Sequence, residues 1–564
     1  MKYRIGQTVA VAGDSIDVLL EDLQTGPDGA SGVPVSMMIN LPTGQGTTPV
    51  LIGQPGSFVE IALPDGGSLL CMVGAIRVGR DETVARNGAH GEAPPAARGV
   101  PRILDVLAVG TLSREGAFDR GADVLPTIGA AAFAVSSGTI QKIYDSYAQG
   151  NFSIGKLSIL RDHDAKINLD AFLSRHAAIL GQTGAGKSWT VASVIQKIVR
   201  FPQSTLVLLD LHGEYHTAFG EYATYIKAAD LELPYWLMNC EELVDMCIER
   251  TEAVSPLQIA KFKELLQGAK ERYRENREMG LSKITVDTPV YFEFKYLLEE
   301  MERLDSELVL VNLIRKPGPY YGLFTRIILR LRTRLNDRRF DLIFHPKAYK
   351  TSASMETLFR RMLGEEEQPK KLVVLDLSQV PFEVRPSIIS LILRCFFEFA
   401  YWYKRKNGRP FPVSVFCDEA HTYLNDADPT HKPSRIPAER IAKEGRKYGI
   451  SLTVISQRPR DVSSTMLSQC NTFLCLRITN PDDQQYVRNL MPDSMKGVMS
   501  IISTLRRGEA LIVGDAAMMP TRIRIERPNP APDSSDVSFA TEWAKPHARL
   551  DVNSVLDVWR NQGI

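Results

Sequence analysis

The sequence predicts an α/β protein: a mostly parallel sheet with an inserted helical subdomain, preceded by a small N-terminal β-barrel. Three observations carry this. From about residue 170, short apolar runs alternate with helix-like stretches, the pattern of a parallel sheet covered on both faces. A glycine-rich phosphate-loop motif joins the first of those runs to a helix. Residues 1 to about 155 instead hold brief alternating stretches parted by Gly and Pro, which read as a barrel or sandwich.

The N-terminal strands are expected at Thr8-Val11, Ile16-Leu20, Val33-Asn40, Val59-Leu63, Leu69-Ile76, Val106-Leu112 and Ala131-Val135. Residues 1–100 carry six Lys+Arg and ten Asp+Glu, a net of −4. That balance suits protein contact better than nucleic acid. Arg86 to Arg98, rich in Gly, Ala and Pro, reads as a mobile loop.

The core strands are expected at Ala177-Leu180, Thr205-Asp210, Leu372-Leu377, Val413-Cys417, Ser451-Ser456, Thr472-Ile478 and Ala510-Val513. A polar, helix-rich stretch from about 220 to 365 is too long for a connection and reads as an inserted helical subdomain. Pro528-Asn529-Pro530-Ala531-Pro532 opens an extended tail. The expected divisions are therefore 1–155, 156–527 and 528–564.

Composition narrows the function. The 564 residues hold 67 Lys+Arg against 66 Asp+Glu, which excludes coating of nucleic acid by bulk charge. Any such contact must be local. Seven cysteines without a C-x-x-C pair argue against a disulfide framework or zinc ribbon and point to a reducing cytoplasm. No apolar run is long enough for a membrane helix, so no membrane association is expected.

Gly181-Gln182-Thr183-Gly184-Ala185-Gly186-Lys187-Ser188 fits G-x-x-x-x-G-K-[ST] between strand and helix. Such a loop lets backbone amides approach phosphates, with Lys187 reaching the β and γ groups of ATP and the Ser188 hydroxyl ligating Mg²⁺. Hydrolysis also needs a carboxylate on the metal and one that orients water. Three strands end in Asp, at 210, 376 and 418, and only Asp418 is followed by a second carboxylate. Asp418 is thus expected on the metal and Glu419 on the water. Asp210 opens Asp210-Leu211-His212-Gly213-Glu214-Tyr215 and suits two roles, a contact at the nucleotide edge or a turn cap. Asp376 reads as a cap. His212 and His421 read as structural groups.

Gln457, ending a strand, suits a γ-phosphate sensor or a plain turn residue. Arg175, just before the phosphate-loop strand, and Arg446 are candidates to stabilise transferred phosphate charge. A protein moving along a duplex needs phosphate contacts, for which Lys432 and Arg435 in an expected loop after Glu419, Asn425 to Arg440, and Arg458 and Arg460 after Gln457, are candidates. The basic amphipathic stretch Tyr320 to Phe340 reads as a helix with one buried face.

These motifs, with Asp418-Glu419-Ala420-His421 and Glu444-Gly445-Arg446-Lys447-Tyr448-Gly449 leading to Ser456-Gln457-Arg458-Pro459, together resemble the HerA branch of the HerA/FtsK ATPases over about residues 1 to 525. Leu211 departs from that pattern, where Pro is common. The resemblance implies a RecA-like core behind a HAS-barrel and a homo-hexameric ring with ATP sites between subunits. It also implies a channel for double-stranded DNA. Arg175 would then reach a neighbouring site, with Arg446 and Gln457 as sensors, and the tail would brace a neighbour. Relatives of this kind serve a nuclease, NurA, in DNA end processing, or a sirtuin-like NAD-hydrolase or other effector in anti-phage defence. The acidic barrel is the expected docking face for such an effector. A competing expectation is an ATP-gated scaffold that assembles the effector without processive movement.

Overall fold

The structure is a computed structural model. It describes residues 3–13, 15–21, 38–43, 46–51, 54–78, 102–147, 149–158, 162–247, 256–491, 497–534, 537–545 and 551–560. The expected loop at 86–98 and residues 33–37 of an expected strand lie outside them. The chain forms two compact units, residues 1–194 with 453–529 and residues 195–452 with 530–564.

In the first unit six strands close a barrel: β1 (Tyr3–Ala12), β2 (Ser15–Leu20), β3 (Phe58–Ala62), β4 (Ser68–Val78), β5 (Arg102–Leu112) and β6 (Ala131–Ala134). Their order is β2-β1-β6-β3-β4-β5, and β5 pairs back to β2. Closure removes the free edges that an open sheet exposes. Alternation sends Ile5, Ile16, Val18, Val59, Ile61, Leu69, Val73, Leu104 and Val106 inward, where they are fully or almost fully buried. The strong bend a small barrel needs is supplied by irregularities at Thr8/Ala10, Leu70/Cys71 and Val73/Ala75.

The barrel ends at Ala134, and β7 (Phe152–Leu157) belongs to a different sheet, with β8 (Asp164–Ile167), β9 (Ala177–Leu180), β14 (Ile450–Ser456), β15 (Thr472–Cys475), β16 (Glu509–Gly514) and β17 (Thr521–Ile525). The stretch expected as barrel up to 155 therefore closes with a strand of the second sheet. In this unit the order is β8-β7-β17-β16-β15-β9-β14. β15, β9 and β14 run parallel, and the rest are antiparallel.

In the second unit β10 (Leu206–Asp210), β11 (Ala223–Lys227), β12 (Leu372–Asp376) and β13 (Val413–Cys417) pair in parallel in the order β13-β10-β12-β11. The stretch expected to be helix-rich from 220 thus begins with an edge strand, β11. It also contains a hairpin of Leu308–Val311 and Ile314–Pro317. Most of the rest is helical, packed around Tyr235, Phe292, Phe294 and Phe344, with Tyr235 and Phe292 edge-on at 5.1 Å. Helix Thr325–Leu335 buries Ile327 and Leu331, as its periodicity predicts. The tail is only partly extended, because Phe539–Trp543 and Val552–Arg560 are helical. Among the described residues no helix is long and apolar enough to cross a membrane.

One charge lies inside the helical region. Lys270 is fully buried, and its Nζ donates to the carbonyls of Val286 (2.7 Å) and Thr288 (2.8 Å). Burial pushes its pKa down to about 8, against the pull of Asp287. The unfolded chain therefore holds one more proton than the native one between pH 8 and the ordinary lysine value, and native stability rises with pH across that window. Denaturant titrations at pH 7.5 and 10.5 should show Lys270→Met losing about 3 kcal/mol of stability relative to the unmodified protein as pH rises.

Candidate functional site

β9 is buried at all four positions, so its polar chemistry can emerge only at an end. There the chain enters the glycine-rich loop. Gly184 and Gly186 have φ of 75° and 102°, values that a side chain resists. A Cβ at Gly184 would meet nothing within 4 Å, so the open side of the loop is unfilled. Gly181 is required for a different reason, since a Cβ there would approach Leu476 to 2.8 Å. The loop is also braced. Gln182 Oε1 accepts from Thr479 N (2.9 Å) and Thr479 Oγ1 (2.5 Å), and Ala185 N donates to Gln182 O at 3.1 Å.

The helix Lys187–Ile198 follows, with Lys187 buried and Ser188 half-buried in its first turn. The first turn of a helix has no preceding carbonyls to bond its amides, which suits it to anions. Gln457, just past β14, accepts from Thr183 Oγ1 at 2.5 Å and so stands at the loop it was expected to serve. Arg175 and Arg446 lie at the opposite ends of parallel strands, ahead of β9 and β14. Arg175 Nη1 is 2.5 Å from Asp515 Oδ2, with 40% of its side chain exposed. Arg446 is exposed in the turn Gly445–Lys447.

In the second unit Asp418 and Glu419 follow the fully buried β13. Both are buried, at 3% and 7% exposure. Asp418 Oδ1 accepts the Glu419 amide at 3.0 Å, and Oδ2 accepts the Tyr215 hydroxyl at 3.3 Å. Glu419 has φ 45° and ψ 43°, the left-handed region, which costs an L-residue about 1–2 kcal/mol. His421 Nδ1 lies 3.2 Å from Glu419 Oε2. Tyr215 and His421 thus touch the acidic pair, a part that sequence reasoning missed. The signal was their place within the two polar boxes that follow β10 and β13.

Asp210 has a different fate. Its Oδ1 accepts the amides of His212 (3.2 Å), Gly213 (2.8 Å) and Glu214 (3.3 Å), and Oδ2 that of Tyr215 (3.1 Å). Burial raises its pKa while those amides pull it down. The geometry makes Asp210 the organiser of its own loop, the turn-cap role of the two its position suits. Asp376 caps its turn through Ser378 N at 3.0 Å, as expected.

Lys432 and Arg435 lie on a helix, Lys432–Glu444, where a loop was expected. Arg435 pairs with Asp426 at 2.7 Å and Glu439 at 3.5 Å. Lys432 is exposed. Arg458 and Arg460 are exposed on the turn Pro459–Asp461 and face Asp461 at 3.7 Å and Asp482 at 3.0 Å. Among the described residues no group of three or more His, Cys, Asp or Glu could hold a metal.

The left-handed backbone at 419 is measurable without catalysis. Glu419→Gly and Glu419→Ala both lose the carboxylate, but only Gly relieves the backbone. Calorimetry should find the Gly variant more stable than the Ala variant by about 1 kcal/mol.

Residues 152–396 match the family described as Helicase HerA, central domain. The DNA double-strand break repair helicase HerA of Saccharolobus solfataricus is 27% identical over 428 residues, covering 75% of this chain and 77% of the relative. That of Pyrococcus furiosus is 28% identical over 415 residues, covering 67% and 70%. VirB4 of Thermoanaerobacter pseudethanolicus superposes with a TM-score of 0.45 at 16% identity, over 66% of this chain and 96% of that one. With the phosphate loop, the acidic strand end and the barrel in the order the sequence predicts, the chain is similar in its central region to the HerA helicases.

Proposed function

We propose that this protein is a ring ATPase that couples ATP hydrolysis to movement along double-stranded DNA. The observation that carries the reading is Glu419: a buried carboxylate held in a strained backbone directly after Asp418 at a strand end. Strain of that kind persists where the surroundings over-determine it, which suits turnover better than passive nucleotide binding. The protein is an ATP hydrolase of the helicase and translocase type, using ATP and Mg²⁺. Its residues fit both. The unfilled side of the loop at Gly184 leaves room for phosphate, and the Ser188 hydroxyl and Asp418 carboxylate are the hard oxygen donors that Mg²⁺ prefers.

In this reading the loop amides and Lys187 bind and orient the triphosphate. Ser188 and Asp418 would hold Mg²⁺, which when bound neutralises charge that builds on the phosphates. Glu419 orients the attacking water and takes up its proton, with His421 holding the carboxylate in place. Gln457 reports on the γ-phosphate through Thr183. Arg175, at the far end of its strand, would serve the site of an adjacent subunit in a homo-hexameric ring, with Arg446 as a sensor. The relatives named DNA double-strand break repair helicases support DNA as the track. The acidic N-terminal barrel would dock an effector, a nuclease or an NAD-hydrolase.

Duplex DNA should stimulate ATP hydrolysis. Lys187→Ala should abolish both nucleotide binding and turnover, while Glu419→Gln should keep binding and lose turnover by about 10³-fold or more. Turnover in Glu419→Gln at the unmodified rate would refute the assignment. If an effector stays fully active with either variant, assembly alone is what the ring provides.

A further inference from the structure

The phosphate loop accounts for the phosphates of a nucleotide and leaves its other end unexplained. The ribose and base are covalently joined to the phosphates, so with phosphates at the loop they must lie close to it and to the turn that follows. Trp189 sits in that turn, two residues past Lys187, and is half-buried. Two guanidinium groups lie over its ring, Arg507 at 5.9 Å and Arg527 at 5.6 Å from the centroid.

Both arginines are held in place by the backbone. Gly508, with φ 78°, donates its amide to Ala185 O of the phosphate loop at 3.3 Å. Its carbonyl accepts the Ile525 amide at 2.9 Å, and Ile525 ends the strand that leads to Arg527. The segment bearing Arg507 is thereby tied to the phosphate loop on one side and to the base of Arg527 on the other. Both arginines are exposed, and neither has a carboxylate partner among the described residues. The nearby Glu509 is engaged by Arg522 at 2.6 Å and by the Arg506 amide at 3.0 Å.

Two uncompensated cations stacked on an indole beside a triphosphate cradle fit one class of ligand: a flat π-system joined to an anionic chain. We infer that Trp189, Arg507 and Arg527 form the nucleobase end of the nucleotide site and select a nucleoside triphosphate over inorganic polyphosphate. Indole and guanidinium planes stack on the base, and the phosphates are left to the loop. The inference rests on the nucleotide reading of the phosphate loop and adds to it the group that distinguishes ATP from its phosphates.

Calorimetric titration of the full chain with ATP and with inorganic tripolyphosphate tests this. Trp189→Ala and the pair Arg507→Ala/Arg527→Ala should each weaken ATP roughly tenfold or more and tripolyphosphate by less than about twofold. Trp189→Phe keeps an aromatic face and should hold ATP within about threefold. ATP should change tryptophan emission in the unmodified protein and not in Trp189→Phe. Equal losses for the two ligands, or unchanged ATP affinity in Trp189→Ala and in the arginine pair, would overturn the inference. Lys187→Ala separates the two layers: it should lose both ligands, and ATP binding that survives it would remove the phosphate-loop reading itself.

Discussion

A strand whose every side chain is buried can offer chemistry only where it stops. β9, β10, β13 and β14 are buried along their whole length. Their polar neighbours are therefore gathered at strand ends: the phosphate loop after β9, the Asp210 box after β10, Asp418 and Glu419 after β13, Gln457 after β14. The hydrophobic demand of the sheet and the placement of the catalytic candidates are one constraint, because a charge anywhere along these strands would be desolvated without a partner.

The strand ends then diverge by what their loops need. Asp210 and Asp418 look alike in sequence, each an Asp closing an apolar run. Asp210 spends its two oxygens on four amides of the loop it begins. Asp418 accepts the Glu419 amide and the Tyr215 hydroxyl, and the residue after it takes the left-handed turn. The hydroxyl comes from Tyr215, whose amide is held by Asp210. One carboxylate thus positions the group that touches the other. No spacing rule separates these roles, since hydrogen-bond partners are set by how a loop folds back.

The elements missed in the sequence share a physical reason. β8 and β11 are edge strands, and the exposed face of an edge strand carries polar residues that blur its apolar run. β17 alternates inward and outward residues beside antiparallel neighbours, so it lacks the continuous apolar signature of the parallel strands. The helix Lys432–Glu444 was hidden by prolines. Pro433 sits in its first turn, where no amide is needed, but Pro437 lies inside and ordinarily breaks a helix. Burial of Ser434, Pro437, Ala438 and Ile441 outweighs that one lost bond.

What the sequence alone determined is the set of buried parallel strands and the motif residues at their ends. Apolar continuity and the glycine demands of the phosphate loop are local properties that survive without a fold. Only the tertiary structure decided that Asp210 organises its own loop, that Tyr215 and His421 join the acidic pair, and that Trp189 meets two arginines from over three hundred positions away. Those outcomes depend on which chain segments are brought within hydrogen-bonding or stacking distance, and contact between distant segments leaves no trace in local pattern.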